Sequence, residues 1–309
     1  MDHPPLAYRN GEWIAADRLT VDPHDLGFVL GATVAERLRT FQGRLFRLGD
    51  HWKRLARSLE IVGGADWVDL QGLALAAERL VAYHDQSRRP GDDFGLVVFV
   101  TPGPPGGEPN GCMSVERLPF AQWAELYDTG QALVTVSHRQ VPGNCWPVEL
   151  KCRSRMHYYL ADREAREQDS AARALVLDQR GFVAEATTAN LLVAMPNEGL
   201  VTPRRENILP GVSLQFVQQL AAECSIPFIE RDLHPEELAQ AEEMLLCSTS
   251  PCLLPVSRVD KRRIPHCPGP LFRQLIDAWS THVGVDIVEQ AREAAGRPAP
   301  DGPWGCASR

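Results

Sequence analysis

The chain has 309 residues, of which 44% are apolar and 23% are charged, and its formal net charge is −8. This length indicates one large domain or two of medium size, with a sizeable core. An acidic balance without a basic block argues against a nucleic-acid-binding protein, and no apolar run approaches the roughly 20 residues that a membrane helix needs.

The N-terminus and the cysteines indicate a cytosolic protein. Residues 1–5 lack the basic start and apolar core of a signal peptide. The eight cysteines are scattered without a Cys-x-x-Cys pair, and Cys247 and Cys252, the closest two, have no histidine cluster beside them. The pattern predicts reduced thiols and no metal site.

The first hundred residues predict a mixture of strands and helices. Asn10-Gly11 predicts a hairpin turn between short strands. Apolar side chains at helical spacing predict a helix from Leu48 to Val62 and a second helix over residues 70–83. The apolar run from residue 94 to residue 100 predicts a strand.

Residues 119–128 differ in composition and predict a linker between two domains, of residues 1–118 and 129–295. The second half again mixes the two element types. Strands are predicted over 132–136, 174–178, 191–195 and 244–248, and helices directly after residue 151 and over 213–224, 236–241, 271–283 and 285–295. The Pro- and Gly-rich tail, 296–309, predicts disorder. Without a regular βαβ alternation, these elements predict an α+β fold with more than one sheet.

Lys151 and Glu185 flank a predicted hairpin of apolar strands. A lysine in apolar surroundings has a lowered pKa and can form Schiff bases, and a buried carboxylate requires a positive partner. Pyridoxal phosphate meets both needs, because the lysine binds its aldehyde carbon and the acid binds its pyridinium nitrogen. Taken singly, each residue also fits a solvated surface position.

Three further segments are suited to a phosphate group. Residues 210–213 place a glycine before a predicted helix whose first N–H groups can bind an anion, although an ordinary helix start with a serine cap has the same sequence. Residues 248–250 offer hydroxyl groups at a strand end, or form a simple polar turn. Arg54 can make a bidentate phosphate contact, or lie at the surface.

In this order and spacing, the motifs resemble the class IV aminotransferase family of fold type IV pyridoxal phosphate enzymes. The family includes branched-chain aminotransferases, D-amino-acid aminotransferases and aminodeoxychorismate lyases. The resemblance runs from about residue 25 to residue 285. It is carried by residues 31–39, 51–55, 151, 181–190, 202–203, 208–213, 248–250 and 255–256.

The resemblance implies roles for individual residues. Lys151 is implied to be the Schiff-base lysine and the base that moves the substrate proton, and Glu185 the carboxylate on the ring nitrogen. Leu209 is implied to pack on the ring face. The implied phosphate ligands are Arg54, the N–H groups of Val212 and Ser213, and Thr249. Candidates for substrate binding are Arg39, Arg153, Arg155 and Ser250.

The resemblance also implies an architecture: a small N-terminal α+β domain, a larger C-terminal pseudo-barrel α+β domain, and the cofactor between them. It implies a homodimer whose partner subunit helps to shape the substrate pocket. The partners would then be a small amino acid and a 2-oxo acid, with neither nucleic acid nor membrane.

The sequence departs from the family pattern near the lysine. Ser154 and Met156 occupy positions where relatives often carry Asn or Tyr, so the cofactor's phenolic oxygen is expected to be held by Arg139 or by Tyr158. Arg153 or Arg155 could hold a substrate carboxylate, or both could point to solvent. The strand over 94–101 lacks the Arg-x-His pair that D-amino-acid aminotransferases use, which does not favour that specificity.

Three functions follow as hypotheses. The first is an aminotransferase that moves an amino group from an amino acid to a 2-oxo acid through a Lys151 Schiff base. The second is a lyase that uses the same cofactor to release pyruvate from aminodeoxychorismate. The third is a non-catalytic protein that binds a phosphate ligand, which would require neither Lys151 nor Glu185.

Overall fold

The computed structural model of the protein describes residues 4–297, and it divides the chain into two compact units. Within the described residues, the small unit comprises 4–119, 150–154 and Arg297, and the large unit comprises 120–149 and 155–296. The residues 150–154 are called the Lys151 segment below. Beyond residue 297, the tail for which disorder was predicted lies outside the described residues.

The small unit is a six-stranded antiparallel sheet with the order β2-β1-β6-β5-β3-β4, together with three helices. Its strands are β1 (Leu6–Arg9), β2 (Glu12–Ala15), β3 (Val34–Phe41), β4 (Arg44–Leu45), β5 (Phe94–Thr101) and β6 (Asn110–Arg117), and its helices are α1 (Leu26–Val29), α2 (Leu48–Ile61) and α3 (Leu70–Asp85). The predicted turn joins β1 to β2, with φ of 47° at Asn10 and 93° at Gly11, which are left-handed values that these two residue types tolerate.

The core of the small unit lies between the sheet and the two longer helices. Leu55 and Leu59, one helical turn apart in α2, are completely buried, as are Leu80 in α3 and Leu38 and Leu96 in the sheet. This is the arrangement that an amphipathic helix requires when one of its faces packs on a sheet.

The short helix α1 is fixed by one buried carboxylate. Asp25 accepts hydrogen bonds from the Gly27 N–H at 2.7 Å, the Thr101 hydroxyl at 2.6 Å and the Asn110 amide at 2.9 Å. The next three side chains are apolar and exposed: Phe28 by 70%, Val29 by 56% and Leu30 by 70%. The Asp25 contacts thus hold an apolar surface segment, 28–30, in place.

The large unit contains a nine-stranded mixed sheet in which eight strands follow the order β12-β11-β10-β13-β14-β7-β8-β9 and β15 pairs with β14. The strands are β7 (Gln131–Arg139), β8 (Arg173–Leu177), β9 (Val183–Ala186), β10 (Asn190–Met195), β11 (Gly199–Thr202), β12 (Phe228–Glu230), β13 (Glu243–Ser248), β14 (Cys252–Val259) and β15 (Arg262–Arg263). The helices are α4 (Phe120–Thr129), α5 (Met156–Gln168), α6 (Val212–Glu223), α7 (Pro270–Val283) and α8 (Ile287–Ala295). β7 lies between β8 and β14 and is parallel to both.

Several elements differ from the sequence-based expectations. The helix expected directly after Lys151 begins only at Met156, because the backbone of the Lys151 segment bonds to β3 instead. Residues 119–128, predicted as a linker, contribute most of α4. Residues 235–240 form a 3₁₀ helix. β14, for which the sequence predicted no strand, lies in the middle of the sheet.

No helix in the described part of the chain is both long and apolar enough to cross a membrane. The seven cysteines between residues 4 and 297 are free thiols.

One buried hydrogen bond supports the turn between β13 and β14. The Tyr127 hydroxyl of α4, a residue that is 1% exposed, donates to the Pro251 carbonyl at 2.7 Å. We expect Tyr127→Phe to lower the stability of the protein by about 1–2 kcal/mol, because a buried carbonyl then lacks its donor. Urea unfolding measures the effect. Tyr159→Phe is the control, since Tyr159 is 66% exposed, and equal stabilities of the two variants would contradict the prediction.

Candidate active site

Lys151 is positioned by backbone hydrogen bonds within the small unit. The Ala35 N–H of β3 donates to the Lys151 carbonyl at 3.0 Å, and the Arg153 N–H donates to the Thr33 carbonyl at 2.8 Å. The Lys151 N–H donates to the Ser58 hydroxyl of α2 at 3.1 Å. The lysine backbone is therefore fixed to two regular elements, which orients a reactive side chain more strictly than a free loop would.

Arg54, the predicted phosphate ligand, is held in one orientation by Glu36 of β3. Its Nε and Nη2 donate to the two Glu36 oxygens at 2.6 and 2.8 Å, and His51 Nδ1 lies 2.9 Å from Glu36 Oε2. Burial opposes the charge on Glu36, but the charge and hydrogen bonds of Arg54 and the hydrogen bond of His51 outweigh it, and the charge of Lys151 adds to them. The pKa of Glu36 therefore lies well below its usual value.

His51 lies one turn inside α2 and pairs with Glu36. Burial, followed by the charges of Arg54 and Lys151, lowers the pKa of His51 despite its contact with Glu36. His51 is thus neutral and donates a hydrogen bond to a carboxylate whose charge Arg54 already balances.

The other candidates of the small unit occupy different surroundings. Arg39 is completely buried, and its guanidinium carbon lies 4.0 Å from the centroid of the Phe41 ring. The Arg153 side chain is exposed. Their predicted contacts with substrate stay predictions.

Glu185 lies in β9 and is 2% exposed. Its Oε1 accepts hydrogen bonds from the Tyr158 hydroxyl and the Gln140 amide, both at 2.5 Å, and its Oε2 accepts from the Asn190 amide at 3.2 Å. Burial raises the pKa of Glu185 to about 7, although hydrogen bonds from Tyr158, Gln140 and the Leu209 backbone act in the opposite direction. These donors are all neutral, so they stabilise the carboxylate without cancelling its charge.

The start of α6 is joined to Glu185 through Asn190. The Asn190 amide donates to the Leu209 carbonyl at 2.9 Å as well as to Glu185. Gly211 is the N-cap of α6, and a Cβ built on it would lie 2.1 Å from Asn190 Oδ1. Only a glycine allows this close approach, and the first N–H groups of α6, those of Val212 and Ser213, have no partner inside the helix.

The turn after β13 carries the remaining candidates of the large unit. Thr249 is half-buried and Ser250 is 9% exposed. Arg155 is the half-buried N-cap residue of α5.

The structure thus collects the predicted residues in two groups. Lys151 and Arg54 lie in the small unit around Glu36, and Glu185 and Leu209 lie in the large unit around Asn190. Sequence reasoning did not single out Glu36, Asn190 or Gln140. Glu36 and Asn190 lie inside motifs that carried the family resemblance, whereas Gln140 had no such signal. Among residues 4–297, no cluster of three or more His, Cys, Asp or Glu side chains is placed to hold a metal ion.

The Glu36–Arg54 pair predicts a loss of stability on substitution. We expect Glu36→Gln to cost about 3 kcal/mol or more, because the Arg54 guanidinium would remain buried without its carboxylate. Since the pKa of Glu36 is lower in the folded protein than its ordinary value of 4.5, its contribution is present above that pH and is lost as the pH falls further. Thermal unfolding as a function of pH should therefore show a weaker acid dependence in Glu36→Gln.

Glu60→Gln is the matched control. Glu60 pairs with Arg57 on the exposed face of α2, the helix that carries Arg54, and both side chains are more than half exposed. A stability of Glu36→Gln equal to that of the control would contradict the prediction.

Comparison with known proteins identifies relatives over most of the chain. A D-alanine aminotransferase of Bacillus licheniformis is 26% identical over 283 residues, which cover 89% of this chain and 95% of that protein. The branched-chain amino acid aminotransferase of Escherichia coli superposes with a TM-score of 0.81 at 21% identity, covering 91% of this chain and 94% of that one. A second branched-chain amino acid aminotransferase, that of T.th. with pyridoxamine 5'-phosphate, gives a TM-score of 0.80 at 21% identity, with 92% and 96% covered.

The two structural likenesses confirm the predicted fold, the α+β architecture of fold type IV with a small N-terminal part and a larger pseudo-barrel part. Residues 33–259 match the family model described as amino-transferase class IV. Because this match covers well over half of the sequence, the chain belongs to the class IV aminotransferase family.

Proposed function

We propose that this class IV aminotransferase moves the amino group of an amino acid to a 2-oxo acid, with Lys151 as the residue to which pyridoxal phosphate is attached. Membership of the family supports a pyridoxal-phosphate-dependent aminotransferase.

The observation that carries the proposal is the environment of Glu185. A buried carboxylate with only neutral donors is incomplete electrostatically, and a protonated pyridine nitrogen would supply the missing positive charge. The Gly211 backbone and the N–H groups that follow it suit a phosphate. The residues present therefore fit the cofactor.

When bound, pyridoxal phosphate supplies an aldehyde that condenses with amines and a ring that accepts an electron pair. Lys151 provides the amine that anchors the cofactor. After release, the same amine moves a proton between the substrate α-carbon and the cofactor in each half-reaction. Glu185 keeps the ring nitrogen protonated. Arg54, oriented by Glu36, and the N–H groups of Val212 and Ser213, with Thr249, are assigned to the phosphate.

The substrate residues stay predictions within this proposal. Arg153 and Arg155 lie on either side of the Ser154 position and offer guanidinium groups for a substrate carboxylate. Ser250 and Arg39 are the remaining candidates.

A homodimer is part of the proposal. The apolar segment 28–30, with each side chain more than half exposed and its helix fixed by Asp25, is of the kind that a subunit interface covers.

The lysine assignment has a direct test because the chain has three lysines, Lys53, Lys151 and Lys261. We expect borohydride to fix pyridoxal phosphate to the peptide that carries Lys151, as detected by mass spectrometry. Lys151→Ala should lose this adduct and slow amino transfer by about 10³-fold, because both the anchor and the base are removed. Lys261→Ala, at an exposed turn, is the control and should keep both properties.

The visible absorbance of the loaded protein, recorded with L- and D-amino acids in turn, shows which amino acids react. An adduct on Lys53 or Lys261 instead, or no adduct, would contradict the assignment. Release of pyruvate from aminodeoxychorismate without an amino acceptor would favour the lyase over the aminotransferase.

The Gly211 contact predicts a second effect. In Gly211→Ala the added methyl group would displace Asn190 from Glu185 and Leu209. We expect the affinity of the apoprotein for pyridoxal phosphate to fall about tenfold or more, as measured by absorbance titration. Gly143→Ala is the control, since its nearest neighbour lies at an ordinary 3.9 Å, and equal affinities in the two variants would refute the role of Gly211.

A further inference from the structure

Glu185 is held by side chains from two other elements of the large unit. Tyr158 lies in the first turns of α5, and Gln140 directly follows β7. Both reach the same oxygen, Oε1, and the Gln140 amide also lies 3.2 Å from the Tyr158 hydroxyl. Tyr158, Gln140 and Glu185 Oε1 thus form a closed triangle of hydrogen bonds.

Gln140 is held by hydrogen bonds of its backbone as well as of its side chain. Its N–H donates to the Leu177 carbonyl at 2.9 Å, and its carbonyl accepts from the Gln179 amide at 2.8 Å. Its side-chain oxygen accepts from the Val141 N–H at 3.2 Å. Because that oxygen is already used as an acceptor, the amide nitrogen must face Glu185, which sets the direction of the contact.

The chemistry of the groups sets the direction of the other bonds. The Gln140 amide nitrogen can only donate, so the Tyr158 oxygen accepts from it and the Tyr158 O–H donates to Glu185. Burial, and then the negative charge of Glu185, raise the pKa of Tyr158 well above its usual value, so the phenol keeps its proton. A phenol has one proton, and that of Tyr158 is directed to the carboxylate.

We propose that Tyr158 and Gln140 are positioning residues that hold Glu185 ionised and oriented toward the ring nitrogen of the cofactor, and that Tyr158 does not bind the cofactor's phenolic oxygen. The inference rests on the proposed function, because it concerns the same cofactor. Of the two residues that the sequence left open for the phenolic oxygen, Arg139 and Tyr158, it rules out Tyr158.

The other charged groups near the triangle do not replace these two donors. Arg155, from the start of α5, lowers the pKa of Glu185 less than the hydrogen bonds of Tyr158 and Gln140 do. The ring of His157 lies 3.9 Å from that of Tyr158, and burial together with the charge of Arg155 lowers the pKa of His157 to about 4. His157 is therefore neutral near pH 7, where Glu185 titrates.

The first test uses the apoprotein labelled with ¹³C at the glutamate carboxyl carbon. The signal of Glu185 is assigned by its loss in Glu185→Gln, and its titration midpoint in the wild type is expected near the raised pKa of about 7. We expect Tyr158→Phe to raise this midpoint by about 1 pH unit or more, because the charged form loses a hydrogen bond. Tyr159→Phe, one residue further along α5 and 66% exposed, should leave it unchanged.

Gln140→Met provides a second variant with the Tyr158 hydroxyl intact, and it should raise the midpoint in the same direction. Circular dichroism verifies that each variant is folded. A midpoint that neither Tyr158→Phe nor Gln140→Met moves would overturn the proposal.

The second test uses protein loaded with pyridoxal phosphate that carries ¹⁵N in the ring. The ¹⁵N chemical shift reports whether the ring nitrogen is protonated, and we expect the protonated fraction at pH 8 to fall in Tyr158→Phe and not in Tyr159→Phe. The pH at which the visible absorbance of the bound cofactor changes serves as the readout for the phenolic oxygen. Tyr158→Phe and Gln140→Met should shift it alike, because both act only through Glu185, and a clearly larger shift in Tyr158→Phe would overturn this part of the proposal.

Failure of the proposed function has a separate signature. If the wild-type protein bound no pyridoxal phosphate and gave no borohydride adduct on Lys151, the assignment of the cofactor would fail and the ring-nitrogen role would fail with it. The ¹³C titration of the apoprotein would still show whether Tyr158 and Gln140 hold Glu185 ionised.

Discussion

The central constraint in the large unit is the burial of one carboxylate, that of Glu185, away from water. Glu185 is almost completely buried, and four elements contribute side chains around it: β9 carries the residue itself, α5 brings Tyr158, the end of β7 brings Gln140 and β10 brings Asn190. Burying a charge is costly unless hydrogen bonds and an opposite charge compensate it. The described residues supply the hydrogen bonds, and the cofactor proposed above would supply the opposite charge. This division explains why the carboxylate stays close to the boundary between its charged and neutral forms.

The small unit also buries a carboxylate, that of Glu36, but it supplies the opposite charge from its own Arg54. Glu36 is as deeply buried as Glu185, yet its pKa moves in the opposite direction, because the Arg54 guanidinium contacts both of its oxygens. A completed ion pair of this kind orients its partner and has little remaining attraction for another cation. Two glutamates of equal burial thus serve different purposes, and the charge of the nearest donor determines which.

Local patterns in the sequence predicted the elements whose signals are contained in a few neighbouring residues. The Asn10-Gly11 turn, the helix from Leu48 and the strand from Phe94 are examples. α4 shows the limit of such patterns: Pro119 and the mixed polarity after it predict a linker, whereas Phe120, Trp123 and Tyr127 recur at helical spacing and are buried.

The candidate site was predictable in part for the same reason. Lys151, Glu185 and the residues before α6 lie in short motifs whose order resembles a family. Gln140 and Tyr158 lie 45 and 27 residues from Glu185 in sequence, and such pairings depend on how strands and helices pack. The return of the Lys151 segment to β3 is likewise a tertiary effect, and it displaced the helix that propensity alone predicted there.

β7 lies between two parallel neighbours that both follow it in the chain, so its pairing is complete only after both have been synthesised. One neighbour, β8, follows within some tens of residues, but the other, β14, pairs residue 256 with residue 131. The sheet of the small unit consists of antiparallel strands that are all complete by residue 117. At a synthesis rate of roughly 5–20 residues per second, β7 waits about 6–25 s for β14. Through that interval a nascent chain carries an unpaired, apolar strand edge, which exposes it to misassembly with other chains.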